Sequence, residues 1–107
     1  MDKFDNLVKE LNDLQILQTS IEWEYSIPED MWAEHFQDNM KQLAYDLDND
    51  DHRHYSMSTS VIKIYDRILG IRHIDLVFSE MSMVEDCYHH LKFFEMREVQ
   101  TVTYEEI

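Results

Sequence analysis

Cysteine, proline and glycine are almost missing from this sequence. Among 107 residues there is one of each. A single cysteine cannot form an internal disulfide, and such low use of cysteine is typical of a reducing compartment. With so few chain breakers and a hydrophobic fraction of 44%, long disordered segments are not expected. We therefore expect a single domain over residues 1–107, large enough to build one core without disulfides.

Long apolar runs and basic residues are scarce as well. No run of about 18 apolar residues is present, so the sequence predicts no transmembrane helix. The first residues, MDKFDNLVKEL, are acidic from the second position and do not resemble a signal peptide. We expect a cytoplasmic protein, in the host cytoplasm if it is viral. The net charge of −14 argues against direct binding to nucleic acid or to an anionic membrane, because both present phosphates.

The richest run of β-branched and aromatic residues predicts a central hairpin over residues 59–78. Its first strand is expected over Val61–Tyr65, its turn at Asp66-Arg67 and its second strand over Ile68–Phe78. The apolar positions of the second strand change from odd to even numbers along its length. Such a change indicates either that both faces are covered or that a bulge restores the register. We favour a bulge near Arg72-His73, because Arg72, His73 and Asp75 are poor residues to bury.

Three segments show the spacing of amphipathic helices. The first covers residues 2–18, the second begins at Ser26-Ile27-Pro28-Glu29, and the third begins at Ser82, where serine and glutamate again have the spacing of a capping box. The apolar stripes are Phe4, Leu7, Val8, Leu11 and Leu14 in the first helix; Trp32, Phe36, Met40, Leu43 and Leu47 in the second; and Val84, Cys87, Tyr88, Leu91 and Phe94 in the third.

Two further segments read as strands. Residues 21–25, IEWEY, alternate between apolar and acidic side chains, and residues 97–105 are rich in β formers. The predicted order is therefore α-β-α-β-β-α-β. We expect an α+β domain in which three helices pack on an antiparallel or mixed sheet.

No catalytic or metal-binding motif is complete. Asp46, Asp48 and Asp50 resemble the start of a calcium loop, but Asp51 stands where the loop needs glycine and Met57 where it needs glutamate. His52 and His54 supply too few ligands for zinc, which takes about four. Cys87 lies in the apolar stripe of the third helix, which favours a structural role over a nucleophilic one. We expect no enzyme activity, no cofactor and no metal.

The distribution of charge gives the functional hypothesis. Residues 22–51 contain ten acidic residues and one lysine. Carboxylates fixed on a rigid surface can imitate the phosphates of a nucleic acid and occupy a basic groove. Small acidic α+β proteins are frequent among phage-encoded inhibitors of restriction, CRISPR and repair nucleases. The expected partner-binding residues combine the acidic side chains with two aromatic anchors: Glu22, Glu24, Glu29, Asp30, Trp32, Glu34, Asp38, Tyr45, Asp46, Asp48, Asp50 and Asp51.

Two alternatives to a nucleic-acid mimic stay open. An acidic surface serves solubility in many proteins and then has no partner. An assembly, antitoxin or immunity module would instead dimerise or bind a protein through the open edge of its sheet. For the mimic and for the assembly module the expected partner is a protein, and for the mimic it is one with a basic nucleic-acid-binding surface.

Overall fold

The computed structural model describes residues 2–78, 83–99 and 103–107, except for the side chains of Asp46, Glu85 and Thr103. In chain order it contains helix α1 (Lys3–Asp13), a 3₁₀ turn (Trp23–Ser26), helix α2 (Glu29–Met31) continued by a π-helical turn (Trp32–Phe36), strands β1 (Met40–Asp51), β2 (Tyr55–Ile64) and β3 (Arg67–Val77), a second 3₁₀ turn (Val84–Cys87), and strands β4 (Lys92–Val99) and β5 (Thr103–Glu106). The five strands form one antiparallel sheet in the order β1-β2-β3-β4-β5.

This architecture corrects the predicted one. The order α-β-α-β-β-α-β with three helices packed on a sheet is wrong, because most of the described chain is an antiparallel meander with little helix. A small α+β domain remains a fair coarse description. Of the predicted helices the first is confirmed, although it ends at Asp13, with Gln15 in a positive-φ conformation, and the second is confirmed only as far as Phe36. At its other end the carboxylate of Asp2 caps the helix by accepting a hydrogen bond from the Asp5 amide at 2.8 Å.

The second predicted helix is wrong beyond Phe36. From Met40 onward the chain is strand β1, whose pairing with β2 shifts register three times between Gln42 and Asp50. Each shift adds unpaired residues to β1, so that Ala44 and Leu47 both lie on one face of the sheet. Met40 and Leu47, which both belong to the stripe that we interpreted as a helix, lie on opposite faces, because Met40 pairs with Ile64 and Leu47 with Thr59. The helical spacing of these apolar residues therefore does not correspond to one face of the strand.

The other disagreements have local causes. Residues 21–25 do not form a strand. The 3₁₀ turn Trp23–Ser26 lies here instead, with Trp23 buried and with Ile21 and Tyr25 exposed. The third predicted helix is reduced to the turn Val84–Cys87, where Cys87 is only partly buried, and strand β4 follows. Its predicted cap, Ser82, lies outside the described residues. The predicted final strand over residues 97–105 is instead divided between β4 and β5.

The central hairpin is confirmed with a displaced turn and bulge. Ile64 pairs with Arg67, so the two turn residues are Tyr65 and Asp66, with φ of 52° and 61°. Positive φ at both positions is what a type I′ turn requires. The bulge lies at Asp75, because Ser56 pairs with Leu76 and Met57 with Ile74.

The expectation that His73 would stay unburied is wrong. It is buried, and its Nε2 atom lies 2.8 Å from the hydroxyl of Ser60. Its Nδ1 atom lies 3.0 Å from the carbonyl oxygen of Ile74 and donates to it. We assign this pair a structural role, because a buried polar side chain is stable when its hydrogen bonds are made.

The main core lies between one face of the sheet and the helical segments. Phe4, Leu7 and Leu11 of α1 pack in one cluster with Ile62 and Leu69 of the hairpin. Trp23, Trp32 and Phe36 extend this cluster toward β1, and the Trp32 and Phe36 rings stack with centroids 5.3 Å apart. This packing places the segment that contains the acidic residues 22–34 over the β1 side of the sheet.

The opposite face of the sheet, here called the second face, is also partly covered. Val61 and Met96 are buried there although neither belongs to the main core cluster. Between them lies Gly70, where an added Cβ would stand 2.4 Å from Cε2 of Phe94 and 2.6 Å from the sulfur of Met96. The phenyl ring and the thioether therefore lie directly over the glycine, and this close approach explains why a strand centre lacks a side chain.

Two side-chain amides complete the sheet where a strand is missing. Asn12 donates to the carbonyl of Phe93 at 2.8 Å and accepts from its amide at 3.0 Å. Gln18 does the same with Ile74, at 3.0 and 2.7 Å, and is fully buried. Each amide imitates the paired donor and acceptor of a neighbouring strand. Both contacts tie the N-terminal segment to the edges of strands far away in sequence.

Candidate functional site

The acidic residues of this chain fall into two groups according to their partners. Asp2, Asp5 and Glu95 surround Arg67, whose side chain also lies 4.7 Å over the ring of Phe4. By contrast, among the side chains that the structure describes, no carboxylate between residues 22 and 51 pairs with a lysine or an arginine. We call residues 22–51 the acidic flank. Its negative charge is therefore left almost uncompensated within the protein.

Three of the predicted acidic residues line one groove. Glu22, Glu24 and Glu29 border a cavity of about 550 Å³ between the segment that precedes α2 and the start of β1. Ile27 and Met40 contribute apolar walls. The remaining lining residues are polar or aromatic: Tyr25, Trp32 and Gln42. We call this cavity the acidic groove, and its volume lies within the range of about 300–1,000 Å³ found for ligand pockets.

Glu24 shows the electrostatic consequence of this arrangement. Partial burial raises the pKa of its carboxyl above the ordinary value of 4.5, and the negative charge of Glu22 raises it further. A hydrogen bond to its own backbone acts in the opposite direction without cancelling the effect. A desolvated carboxylate beside a second one is unfavourable unless a cation approaches. The groove is therefore suited to a positively charged group.

The predicted aromatic anchors differ in accessibility. Tyr45 is 66% exposed and projects from β1. Trp32 is half-buried, because it stacks on Phe36 and meets Trp23 edge-on. Only the part of its side chain that faces the groove is accessible to a partner. Tyr25, which the strand prediction for residues 21–25 placed on a buried face, is 76% exposed at the rim. Tyr25 is exposed because this segment forms a turn and not a strand. No pattern in the sequence indicated this exposure.

The other predicted residues lie apart from the groove. Glu34 is paired only with its neighbour His35 at 3.6 Å, and Asp30 accepts a hydrogen bond from the amide of Met31. Asp38 lies beyond the π-helical turn, next to a cavity that Lys41 also lines. The structure thus brings together only part of the predicted set.

Asp48, Asp50 and Asp51 lie near the far end of β1, and all three are exposed. The side chain of Asp46 is outside the described part. Because β1 is an edge strand with three register shifts and a positive φ of 52° at Asp48, it is a poor template for strand addition. This geometry disfavours an assembly role for that edge.

His52 and His54 were considered as metal ligands. His52 stacks on Tyr55 with centroids 4.7 Å apart, and its Nε2 atom lies 3.4 Å from Asp50. Across residues 2–78, 83–99 and 103–107 there is no group of three or more histidine, cysteine, aspartate or glutamate side chains placed to hold a metal ion.

Within the same ranges, no helix has the length and apolar character needed to cross a membrane. Comparisons with protein-family models, with curated proteins and with solved structures found nothing that matches this chain.

Proposed function

We propose that this chain is a small acidic binding protein that acts in the cytoplasm and blocks a nucleic-acid-handling protein, such as a restriction, CRISPR or repair nuclease. The acidic flank would occupy the basic surface on which that partner binds nucleic acid. The observation that carries this proposal is the lack of lysine or arginine partners for the described carboxylates of residues 22–51. No catalytic step is part of this function, because occlusion needs only a complementary surface.

The shape of the flank supports an extended partner surface. Strand β1 has 12 residues, and at about 3.3 Å per residue it spans at most roughly 36 Å. This length is close to one helical turn of duplex DNA, which is about 34–36 Å. Carboxylates lie over its first half, in the acidic groove, and along its far end. A protein that tracks a nucleic-acid backbone over one turn would meet negative charge over a similar distance.

The groove adds aromatic side chains to the negative charge of the flank. Tyr25 and Trp32 border the same cavity as Glu22 and Glu29. Interface energy concentrates in a few aromatic and arginine residues, and an arginine on the partner could pair with the carboxylates while it stacks on a ring. We therefore expect the groove, and not the more distant aspartates, to dominate affinity.

The test is recovery of the partner followed by titration. The tagged protein is used to capture its partner from the native host, and the partner is purified and titrated with the wild type and two variants. The first variant carries Glu22→Lys, Glu24→Lys and Glu29→Lys in the groove. The second, with the same change in net charge, carries Glu10→Lys, Asp86→Lys and Glu98→Lys at exposed positions outside it.

We expect the groove variant to lose several kcal/mol of binding free energy, because it opposes cations with cations. The control variant should bind within about tenfold of the wild type, and wild-type affinity should fall steeply between about 50 and 200 mM salt. Equal affinity of the groove variant and the wild type, with both folded, would exclude the groove from the interface. A captured partner that handles no nucleic acid, or a direct gel shift of DNA or RNA by this protein, would refute the proposed function.

A further inference from the structure

The acidic groove adjoins a second cavity further along β1. This second cavity has a volume of about 270 Å³ and is lined by Tyr45, and we call it the Tyr45 cavity. Glu22, Glu24 and Gln42 line both cavities, so the two meet at these side chains. Together they follow β1 from Met40 to Tyr45, which spans at most roughly 17 Å at about 3.3 Å per residue. We call the two joined cavities the extended cleft.

Carboxylates are distributed along the whole extended cleft. Glu29 lines only the acidic groove and Asp75 lines only the Tyr45 cavity, whereas Glu22 and Glu24 line both. Among the described residues, no lysine or arginine lines either cavity. In the same part of the chain, no three carboxylate, imidazole or thiol side chains are placed to hold one metal ion. The negative charge of the cleft is therefore spread over its length and is not concentrated at one point.

Apolar and aromatic side chains line the cleft together with these carboxylates. Ile27, Met40 and Trp32 line the acidic groove, and Ile21 and Tyr45 line the Tyr45 cavity. Walls of this kind exclude water from part of a ligand and favour contact with hydrocarbon groups. The ring faces of tryptophan and tyrosine also attract ammonium groups. A ligand that matches the cleft therefore carries several positive charges with apolar segments between them.

The floor of the Tyr45 cavity is polar. It includes Ser60 and His73, which are only 3% and 4% exposed. Their side chains lie 2.8 Å apart, and Nδ1 of His73 donates to the carbonyl oxygen of Ile74. These hydrogen bonds keep the floor in place, so that the exposed Tyr45 and the carboxylates form the accessible part of the cavity.

We propose that the extended cleft binds a linear polyamine. Its ammonium groups would pair with carboxylates in each cavity and at their junction, and its methylene chains would lie against Ile21, Ile27 and Met40. A compact metal ion cannot contact carboxylates in both cavities at once, whereas a linear polycation can. This inference concerns the same groove as the proposed function but does not rest on it, because the polyamine binds the protein alone.

The test titrates the whole protein, without a partner, with spermidine, and with putrescine and Mg²⁺ for comparison. The salt concentration is about 0.15 M, so that attraction beyond about 8 Å is screened. Binding is followed by the NMR signals of the Trp32 indole and the Tyr45 ring, which lie in different cavities. One variant combines Glu22→Gln with Glu24→Gln. The matched control removes the same charge at exposed positions outside the cleft and combines Glu10→Gln with Glu98→Gln.

We expect spermidine to shift both signals with one saturation curve. Binding should be about tenfold weaker in the cleft variant and within about twofold of the wild type in the control. Putrescine and Mg²⁺ should each bind more weakly than spermidine, because neither reaches carboxylates along the whole cleft.

The absence of saturable shifts up to about 10 mM spermidine, or equal weakening in the two variants, would overturn the proposal. Shifts confined to one signal, or putrescine as tight as spermidine, would overturn the spanning of both cavities. Mg²⁺ as tight as spermidine would overturn the preference for a linear polycation. Since no partner is present, each of these failures is distinct from a failure of the proposed function.

Discussion

The N-terminal segment, residues 2–18, and the acidic flank use polar side chains in opposite ways. In the N-terminal segment, Asp2, Asn12 and Gln18 reach across to the sheet and bond with Arg67, Phe93 and Ile74. In the flank, the described carboxylates bond only with close neighbours in sequence, such as Glu34 with His35. Polar groups of the first kind specify the fold. Those of the second kind add little to it and remain available to a partner.

The variant with the largest expected effect on stability is Gln18→Met, which keeps the length of the side chain but removes its amide. The buried amide and carbonyl of Ile74 would each lose a hydrogen bond, and the free energy of unfolding should fall by about 3 kcal/mol. Denaturant unfolding measures this loss. The control, Gln37→Met, changes an exposed glutamine within the flank and should stay within about 0.5 kcal/mol of the wild type. Similar losses in both would show that the amide does not complete the sheet.

A smaller effect is expected from Asp2→Asn. The hydrogen bond from the Asp5 amide lowers the pKa of Asp2 below its ordinary value of 3.8, and Arg67 lowers it further. A lowered pKa means that the ionised form stabilises the fold above the unfolded pKa, and that this stability is lost as the pH falls through the folded pKa. Asparagine keeps the helix cap but not the charge.

Thermal unfolding of Asp2→Asn should therefore show a lower melting temperature than that of the wild type at pH 7. The difference should close as the pH falls below 3.8. Glu10→Gln, on an exposed side of the same helix, serves as the control for charge alone. A pH-independent difference would mean that Asp2 acts through something other than its charge.

The smallest effect, of opposite sign, is expected from Glu24→Gln in the flank. Partial burial raises the pKa of this carboxyl above 4.5, so its ionised form opposes folding at neutral pH. The variant should be slightly more stable than the wild type at pH 7, within about 0.5 kcal/mol. The advantage should disappear as the pH falls through the raised pKa to below 4.5. Glu29→Gln provides the comparison in the same groove, and a loss of stability in Glu24→Gln at pH 7 would contradict this account.

The sequence predicted elements whose pattern is repeated without interruption. In α1, Phe4, Leu7 and Leu11 keep one helical face, and the hairpin keeps its two strands around a two-residue turn. Strand β1 was not predicted, because Met40, Leu43 and Leu47 have helical spacing in the sequence although Met40 and Leu47 lie on opposite faces of the bulged strand. The pairing of Asn12 with Phe93 was not predicted, because the partners are 81 residues apart and no local sequence pattern indicates the contact.

From the sequence, only the high density of acidic residues in the candidate site could be predicted. Counting acidic residues identified the segment, but it could not tell that Glu22, Glu24 and Glu29 meet in one groove while Glu34 does not. The three glutamates meet because residues 23–26 form a turn with Trp23 buried, where the sequence predicted a strand. The pairing of Arg72 with Lys92 was equally hidden, since the two residues become neighbours only through the register of β3 with β4.

The meander also implies an order of assembly for the chain. Every pair of adjacent strands is consecutive in sequence. The connections from β1 to β2 and from β2 to β3 have three and two residues and close at small entropic cost, whereas residues 78–91 separate β3 from β4. The hairpin of β2 and β3, with its two-residue turn, is the natural nucleus, and β1 and β4 can add from either side. The contacts of Asn12 and Gln18 close much longer loops, and we expect them to form late. Changes at Tyr65 and Asp66 should therefore slow folding, whereas changes at Gln18 should chiefly speed unfolding.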